Sequence, residues 1–113
     1  MTYDIDPLQS VIETLSDPTR RAVLDLVRAG VSTAGEIAKH VPVSRPAVSQ
    51  HLKALLDAHI VLVRIDGTRR RYSLRPEGFS PLQSYLNDMW DQALDEFSAY
   101  VETYAEKRDG EPK

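Results

Sequence analysis

Residues 44–58 read SRPAVSQHLKALLDA, the pattern of a helix with two unlike faces. Ser44 can cap the first turn, because its hydroxyl can accept a free backbone N–H there. Pro46 falls inside that turn, where a missing N–H costs little. Val48, Leu52 and Leu55 recur at helical spacing and make one apolar face. Arg45, Ser49, Gln50 and Lys53 lie away from it, with no acid before Asp57. An apolar back and a small, polar, cationic front suit a helix that docks on its own domain and enters a DNA major groove. An ordinary amphipathic surface helix has the same pattern, so the flanking sequence has to decide.

Upstream, residues 1–15 carry Ile5, Leu8, Val11, Ile12 and Leu15 at helical spacing, with Asp6 to cap them and Pro7 at the first position. Asp17-Pro18 repeats that start signal. The helix it opens runs to about Arg28 with Ala22, Val23, Leu26 and Val27 inward, and Gly30 ends it as a left-handed cap. Thr33 with Glu36 three residues on is a capping box for a short helix through Ile37, Ala38 and His40. Only Val41-Pro42-Val43 then separates that helix from the one at Ser44, which is the helix-turn-helix arrangement.

Downstream the period changes. Residues 60–65, IVLVRI, are rich in β-branched residues and too few for a helix. Asp66-Gly67 accepts positive φ cheaply and marks a hairpin turn, and residues 70–74, RRYSL, return. A two-stranded hairpin after a helix-turn-helix is a wing. Its consecutive Arg69, Arg70 and Arg71 would repel one another, and a phosphate backbone would relieve that. A solvated edge strand blunted by charge would also carry cations, though Lys is more usual there than a run of three Arg.

After Pro76, Gly78 and Pro81, which read as a linker, one helix without internal Gly or Pro runs from about Ser80 to Lys107. Its stripe of Leu82, Leu86, Met89, Trp90, Ala93, Leu94, Phe97, Val101 and Tyr104 exceeds what the winged domain needs for its own core. The surplus predicts a second copy of the chain as its partner, because symmetric dimers are the commonest oligomers. Leu86, Met89, Trp90, Ala93 and Phe97, with Leu8, Val11 and Ile12 of the first helix, are the expected interface. Trp90 and Phe97 would also suit an effector pocket, although such residues more often form dimer core.

Composition bounds the rest. The chain has 113 residues, 42% of them hydrophobic, and no Cys, which removes disulfides and thiolate chemistry. It has no long apolar run for a membrane span or signal peptide, so a soluble cytoplasmic protein is expected. The net charge of −3 seems to argue against nucleic acid, but its distribution does not. Residues 17–75 hold eleven Lys and Arg against five Asp and Glu, a balance of +6, and the flanks hold three against twelve, a balance of −9. A basic middle between acidic ends fits a nucleic-acid surface on one segment. No Ser, His and Asp set and no Gly-rich phosphate loop is recognisable, so no catalytic residue and no enzyme activity is expected.

In order and in wording these elements resemble the ArsR/SmtB family of bacterial winged-helix repressors. The resemblance rests on LSDPTRRAVLDLV at 15–27, VSRPAVSQHLKALLDAHIV at 43–61 and DGTRRRYSL at 66–74, and covers roughly residues 8–100. The last helix, with Trp90, Ala93-Leu94 and Phe97, is similar to the subgroup without a metal site. The resemblance implies a dimeric transcriptional repressor on an inverted-repeat operator in double-stranded DNA. It implies DNA contacts from Ser44, Arg45, Ser49, Gln50, His51 and Lys53 on the recognition helix and from Arg69, Arg70 and Arg71 on the wing. His51 sits near the boundary of the two faces, where it would donate to a phosphate or pack at the helix flank.

Two departures from the family stand out. The family usually places Gly after the recognition helix, where this chain has His59, so a retained left-handed cap would have to form on His59. The family's metal sensors use Cys on the helix before the turn, or Asp and His pairs on the last helix. The corresponding helix here reads TAGEIAKH, and the last has Asp88, Asp91, Asp95 and Glu96 without His. Carboxylates alone make a poor site for soft or borderline metals, and His40, His51 and His59 would need three segments to converge. No metal and no cofactor is therefore expected, and any effector is left open. The expected architecture is mainly α with a small β-hairpin: one winged helix-turn-helix domain over 1–113, with a dimerisation helix at 1–15, a DNA-binding winged helix at 17–75 and a second dimerisation helix at 80–107. Two other readings remain: a winged-helix module that binds an acidic protein partner, and a metal-responsive repressor using carboxylate and His ligands.

Overall fold

The computed structural model describes residues 6–110, with side chains to residue 106; Ile5 lies outside them. Four helices come first: α1 (Pro7–Leu15), α2 (Pro18–Arg28), α3 (Ala34–Ala38) and α4 (Arg45–Asp57). Strands β1 (Val61–Asp66) and β2 (Arg69–Leu74) follow, then a 3-10 turn (Pro76–Phe79) and the 31-residue helix α5 (Ser80–Gly110). The chain divides into two compact units, one up to Leu82 and one from Gln83 on.

The helix boundaries follow from side chains that take up free backbone N–H groups. Asp6 accepts from Leu8, Asp17 from Thr19 and Arg20, Thr33 from Glu36 and Ser44 from Ala47. Pro follows within the first two positions of α1, α2 and α4, where its missing N–H leaves no bond unmade. The C-termini of α2 and α4 close alike. Gly30 (φ 100°) donates to Val27 and Val31 to Leu26; His59 (φ 60°) donates to Leu56 and Ile60 to Leu55. Both are Schellman closures, so His59 does adopt the left-handed conformation usually left to glycine.

The core of the first unit is built around α4. Val48, Leu52 and Leu55 are fully buried with Val23 of α2, Ile37 of α3 and Ile60, and Val61 and Tyr72 carry the hairpin onto it. Two expectations about facing change here. Ala22 is exposed, and Leu24 is buried with Val23 and Val27 while Leu26 is half-buried, so the buried stripe of α2 lies further round the helix than expected. Val11, expected at a subunit interface, is 2% exposed within this core, which takes it out of reach of a partner. Leu8 is half-buried and Ile12 is exposed on the same helix.

The hairpin is antiparallel, with Val61 opposite Leu74, Val63 opposite Tyr72 and Asp66 opposite Arg69. Its two-residue loop is therefore Gly67-Thr68, one residue later than expected, since Asp66 is still paired. Gly67 has φ 63° in the first loop position, which two-residue hairpins of one favoured type reserve for glycine. Beyond β2 the expected linker is a packed element. Arg75 N–H donates to the Ile60 carbonyl at 2.7 Å, and its guanidinium donates to the His59 carbonyl at 3.2 Å. Gly78 is buried against the same backbone: a Cβ there would overlap the His59 carbonyl oxygen and lie 2.8 Å from its carbon.

The second unit is the remainder of α5, an uninterrupted helix from Gln83 on. Leu86, Met89, Trp90, Leu94, Phe97, Val101 and Tyr104 are all 44% or more exposed along it. Tyr100 and Tyr104 stack one turn apart, 6.4 Å between ring centroids. No helix among the described residues is long and apolar enough to cross a membrane.

Candidate nucleic-acid interface

Three elements of the first unit enclose an open concavity. The start of α3 supplies Thr33, Ala34, Gly35 and Glu36, followed by Lys39. Helix α4 supplies Arg45, Ser49 and Lys53, which recur every four residues and so form one stripe. The hairpin supplies Thr68, Arg69, Arg70 and, at the floor, Tyr72. Five cations thus line the concavity against one acid, Glu36. The stripe stays open because Val48, Leu52 and Leu55 hold the other face of α4 in the core.

The expected residues do not all meet there. Arg45, Ser49, Lys53, Arg69 and Arg70 do. Gln50 is exposed on α4 beside that stripe. Ser44 is also exposed, and its hydroxyl caps the helix at Ala47 N, 3.3 Å away. His51 is half-buried at the helix flank, with Nδ1 shut from solvent and without a hydrogen-bond partner. The Asp17 carboxyl is held below the ordinary range mainly by the Arg20 backbone N–H, then by the Thr19 N–H and, in smaller part, by the field of His51. The sequence missed Lys39 and the α3 start. Lys39 follows the last turn of a five-residue helix, too short a segment to show which way its side chain faces.

Arg71 is placed differently from Arg69 and Arg70. It is half-buried and does not line the concavity. Its Nε donates to Asp66 Oδ2 at 2.8 Å and a terminal nitrogen donates to Ser32 Oγ at 3.1 Å. The bond from Arg71 is the main reason the Asp66 carboxyl is held low, with Arg64 and Arg69 adding their fields. Strand alternation puts Arg70 on the face of Tyr72 and Arg71 on the other; Arg69, on the same side as Arg71, lines the concavity from the strand start beside the Gly67-Thr68 loop.

Residues 15–64 match a helix-turn-helix domain family. The chain is 43% identical over 91 residues to the HTH-type transcriptional regulator Rv2034 of Mycobacterium tuberculosis, covering 80% of this chain and 85% of that protein. The chain belongs to the ArsR/SmtB family of winged helix-turn-helix transcriptional regulators. Against the transcriptional repressor SdpR of Bacillus subtilis it is 42% identical over 82 residues, 73% of this chain and 88% of the relative. The solved structure of an ArsR family transcriptional regulator superposes with a TM-score of 0.69 at 27% identity, covering 81% of this chain and 95% of that one. A homodimeric winged helix-turn-helix DNA-binding domain, Mb0332 of Mycobacterium bovis, superposes at 0.61 and 26% identity, over 81% and 85% of the two chains.

The five helices and two-stranded wing of this ArsR-family chain are accordingly those of a DNA-binding transcriptional regulator, and the family is not one of enzymes. Among the described residues no group of three or more His, Cys, Asp or Glu is placed to hold a metal ion. Asp88, Asp91 and Asp95 are exposed on α5 with no His beside them.

Proposed function

We propose that the chain is a transcriptional repressor that binds an inverted-repeat operator as a homodimer, with the concavity between α3, α4 and the wing as its DNA-binding surface. The observation that carries this reading is the stripe of Arg45, Ser49 and Lys53, open to solvent and flanked by Arg69 and Arg70. Ser49 and Gln50 approach base edges, where Gln pairs with adenine in the major groove. Lys39, Lys53, Arg69 and Arg70 take phosphates, with Arg45 at the helix start able to reach either. Ser44 serves this surface by holding the first turn of α4, and His51 by packing its flank.

Dimerisation is assigned to residues 80–107 and, in smaller part, to residues 1–15, with residues 17–75 as the DNA-binding part. Leu86, Met89, Trp90, Ala93 and Phe97 are the contacts on α5, joined by Leu8 and Ile12 of α1 but not by Val11. The homodimeric neighbour supports a dimer, and an exposed stripe holding one Trp and one Phe at more than 60% exposure each, a large apolar surface for a lone chain, supports α5 as its seam. Two copies place two recognition helices about one helical turn of DNA apart, roughly 34 Å.

The test is a fluorescence anisotropy titration with the DNA upstream of the protein's own gene at two salt concentrations, with a footprint. A protected inverted repeat, bound more weakly as salt rises, is the expected result. Flat, weak binding to every duplex would refute the reading. Gln50→Ala should relax discrimination among sequences, and Arg69→Ala should weaken binding to all of them alike.

A further inference from the structure

The geometry assigns Arg71 a role different from its two neighbours: it is a positioning residue that locks the wing to the loop between α2 and α3, and it takes no phosphate. This rests on the DNA-binding reading above. Three consecutive arginines look equivalent in sequence, yet their surroundings differ. Arg69 and Arg70 are exposed at the concavity. Arg71 is half-buried and its guanidinium donates from Nε to Asp66 and from one terminal nitrogen to Ser32.

The two acceptors belong to different parts of the fold. Asp66 is the last residue of β1 and lies opposite Arg69, so Arg71 reaches it as the diagonal neighbour two residues along β2. Ser32 precedes Thr33, the cap of α3. The backbone joins at the same point, since Tyr72 N–H donates to the Ser32 carbonyl at 2.8 Å. One side chain and one backbone bond thus hold the wing to the start of the helix-turn-helix. They set how far Arg69 and Arg70 stand from Lys53 and Arg45 across the concavity. Arg71 also lies opposite Arg64 in the strand register, a like-charge pair that would push the strands apart without Asp66. The same bond pairs the Asp66 carboxylate with the guanidinium. The charge of Arg71 is therefore already spent within the protein.

A lock and a phosphate contact leave different signatures. A lost phosphate contact flattens the dependence of binding on salt by about 0.9 for each charge removed. A loosened wing lowers affinity but leaves the number of phosphates contacted unchanged. The chemical demand differs as well. Lys keeps the charge, and so serves a phosphate, but its single ammonium cannot reproduce a planar fork bonded to two acceptors on different segments.

The experiment measures binding of a fluorescein-labelled random-sequence DNA duplex by the full chain across a salt series. It compares wild type, Arg69→Ala, Arg71→Ala and Arg71→Lys, with circular dichroism confirming the fold of each. Arg69→Ala should give a shallower salt slope. Arg71→Ala should keep the wild-type slope and lose on the order of tenfold in affinity at every salt concentration. Arg71→Lys, which retains charge and most of the aliphatic stem, should lose about as much as Arg71→Ala. A slope for Arg71→Ala as shallow as that of Arg69→Ala, wild-type binding by Arg71→Lys, or no loss in either would overturn the assignment. Wild-type binding that ignores salt would instead defeat the DNA-binding reading itself, which separates the two failures.

Discussion

Replacing Gly78 by Ala sets two physical effects against each other, and their signs differ. Gly78 lies in the 3-10 turn between β2 and α5. By conformational preference alone Ala should stabilise such a position, by roughly 0.5–1 kcal/mol, because Gly loses more freedom on folding. Packing says the opposite. The new Cβ would overlap the His59 carbonyl oxygen, and it would lie 2.8 Å from the His59 carbonyl carbon and 3.1 Å from Ile60 Cα. All three are backbone atoms at the C-terminus of α4, so no side chain can swing aside. The turn must move away from the helix end by about a carbon–oxygen contact's shortfall. That movement strains the Arg75 N–H bond to Ile60 at 2.7 Å and the Arg75 guanidinium bond to His59 at 3.2 Å. Overpacking of this kind costs about 1–3 kcal/mol and a lost hydrogen bond about 1 more, so a net loss of about 1–3.5 kcal/mol remains after the preference for Ala is subtracted. Urea unfolding of both proteins at one protein concentration would measure it, with an unchanged m-value showing that the same surface is exposed. A Gly78→Ala protein as stable as wild type, or more so, would refute the packing argument and return this segment to the flexible linker its Pro and Gly content suggests.

Other consequences follow from single residues. His59→Gly should stabilise the protein by about 0.5–1 kcal/mol, the left-handed penalty of His less the extra freedom Gly brings to the unfolded chain; a lower thermal midpoint for the variant would show that the imidazole makes contacts that matter. The Asp17 carboxyl is held below its ordinary value of 3.8, chiefly by the Arg20 backbone N–H. A lowered pKa contributes stability that is present above about pH 4 and is lost as pH falls through the folded-state value. Asp17→Asn should therefore destabilise the protein at pH 7 and converge with wild type in strong acid, whereas a constant difference at all pH values would exclude the charge as the cause. Phe97→Ser combined with Trp90→Ser should convert the dimer to monomer in sedimentation equilibrium and weaken operator binding, and an unchanged mass would place the interface elsewhere.

Much of this fold is written in local chemistry. Asp6, Asp17, Thr33 and Ser44 mark helix starts because each carries a short oxygen acceptor ahead of N–H groups that have no partner within the helix. The spacing of Val48, Leu52 and Leu55 announces which side of α4 is buried. That in turn leaves Arg45, Ser49 and Lys53 on the open side, so the stripe at the centre of the DNA-binding reading is legible in the sequence alone. The split of charge between residues 17–75 and the flanks was equally visible.

What needed tertiary structure was every question of which partner a side chain finds. Arg69, Arg70 and Arg71 are alike in sequence, and only the pairing of strands and the approach of Ser32 separate two open cations from one that is already bonded. Pro76 and Gly78 read as a linker because their composition reports only that the chain leaves helix and strand. That Gly78 is the one residue small enough to lie on the end of α4 depends on a neighbour eighteen or nineteen positions earlier. Val11 shares an apolar stripe with Ile12, but periodicity cannot say whether a stripe meets its own domain or a second copy, since water is expelled equally by both. Caps and helical spacing are contacts within four residues and can be read along the chain, whereas bonds across the fold depend on an arrangement that no short stretch encodes alone.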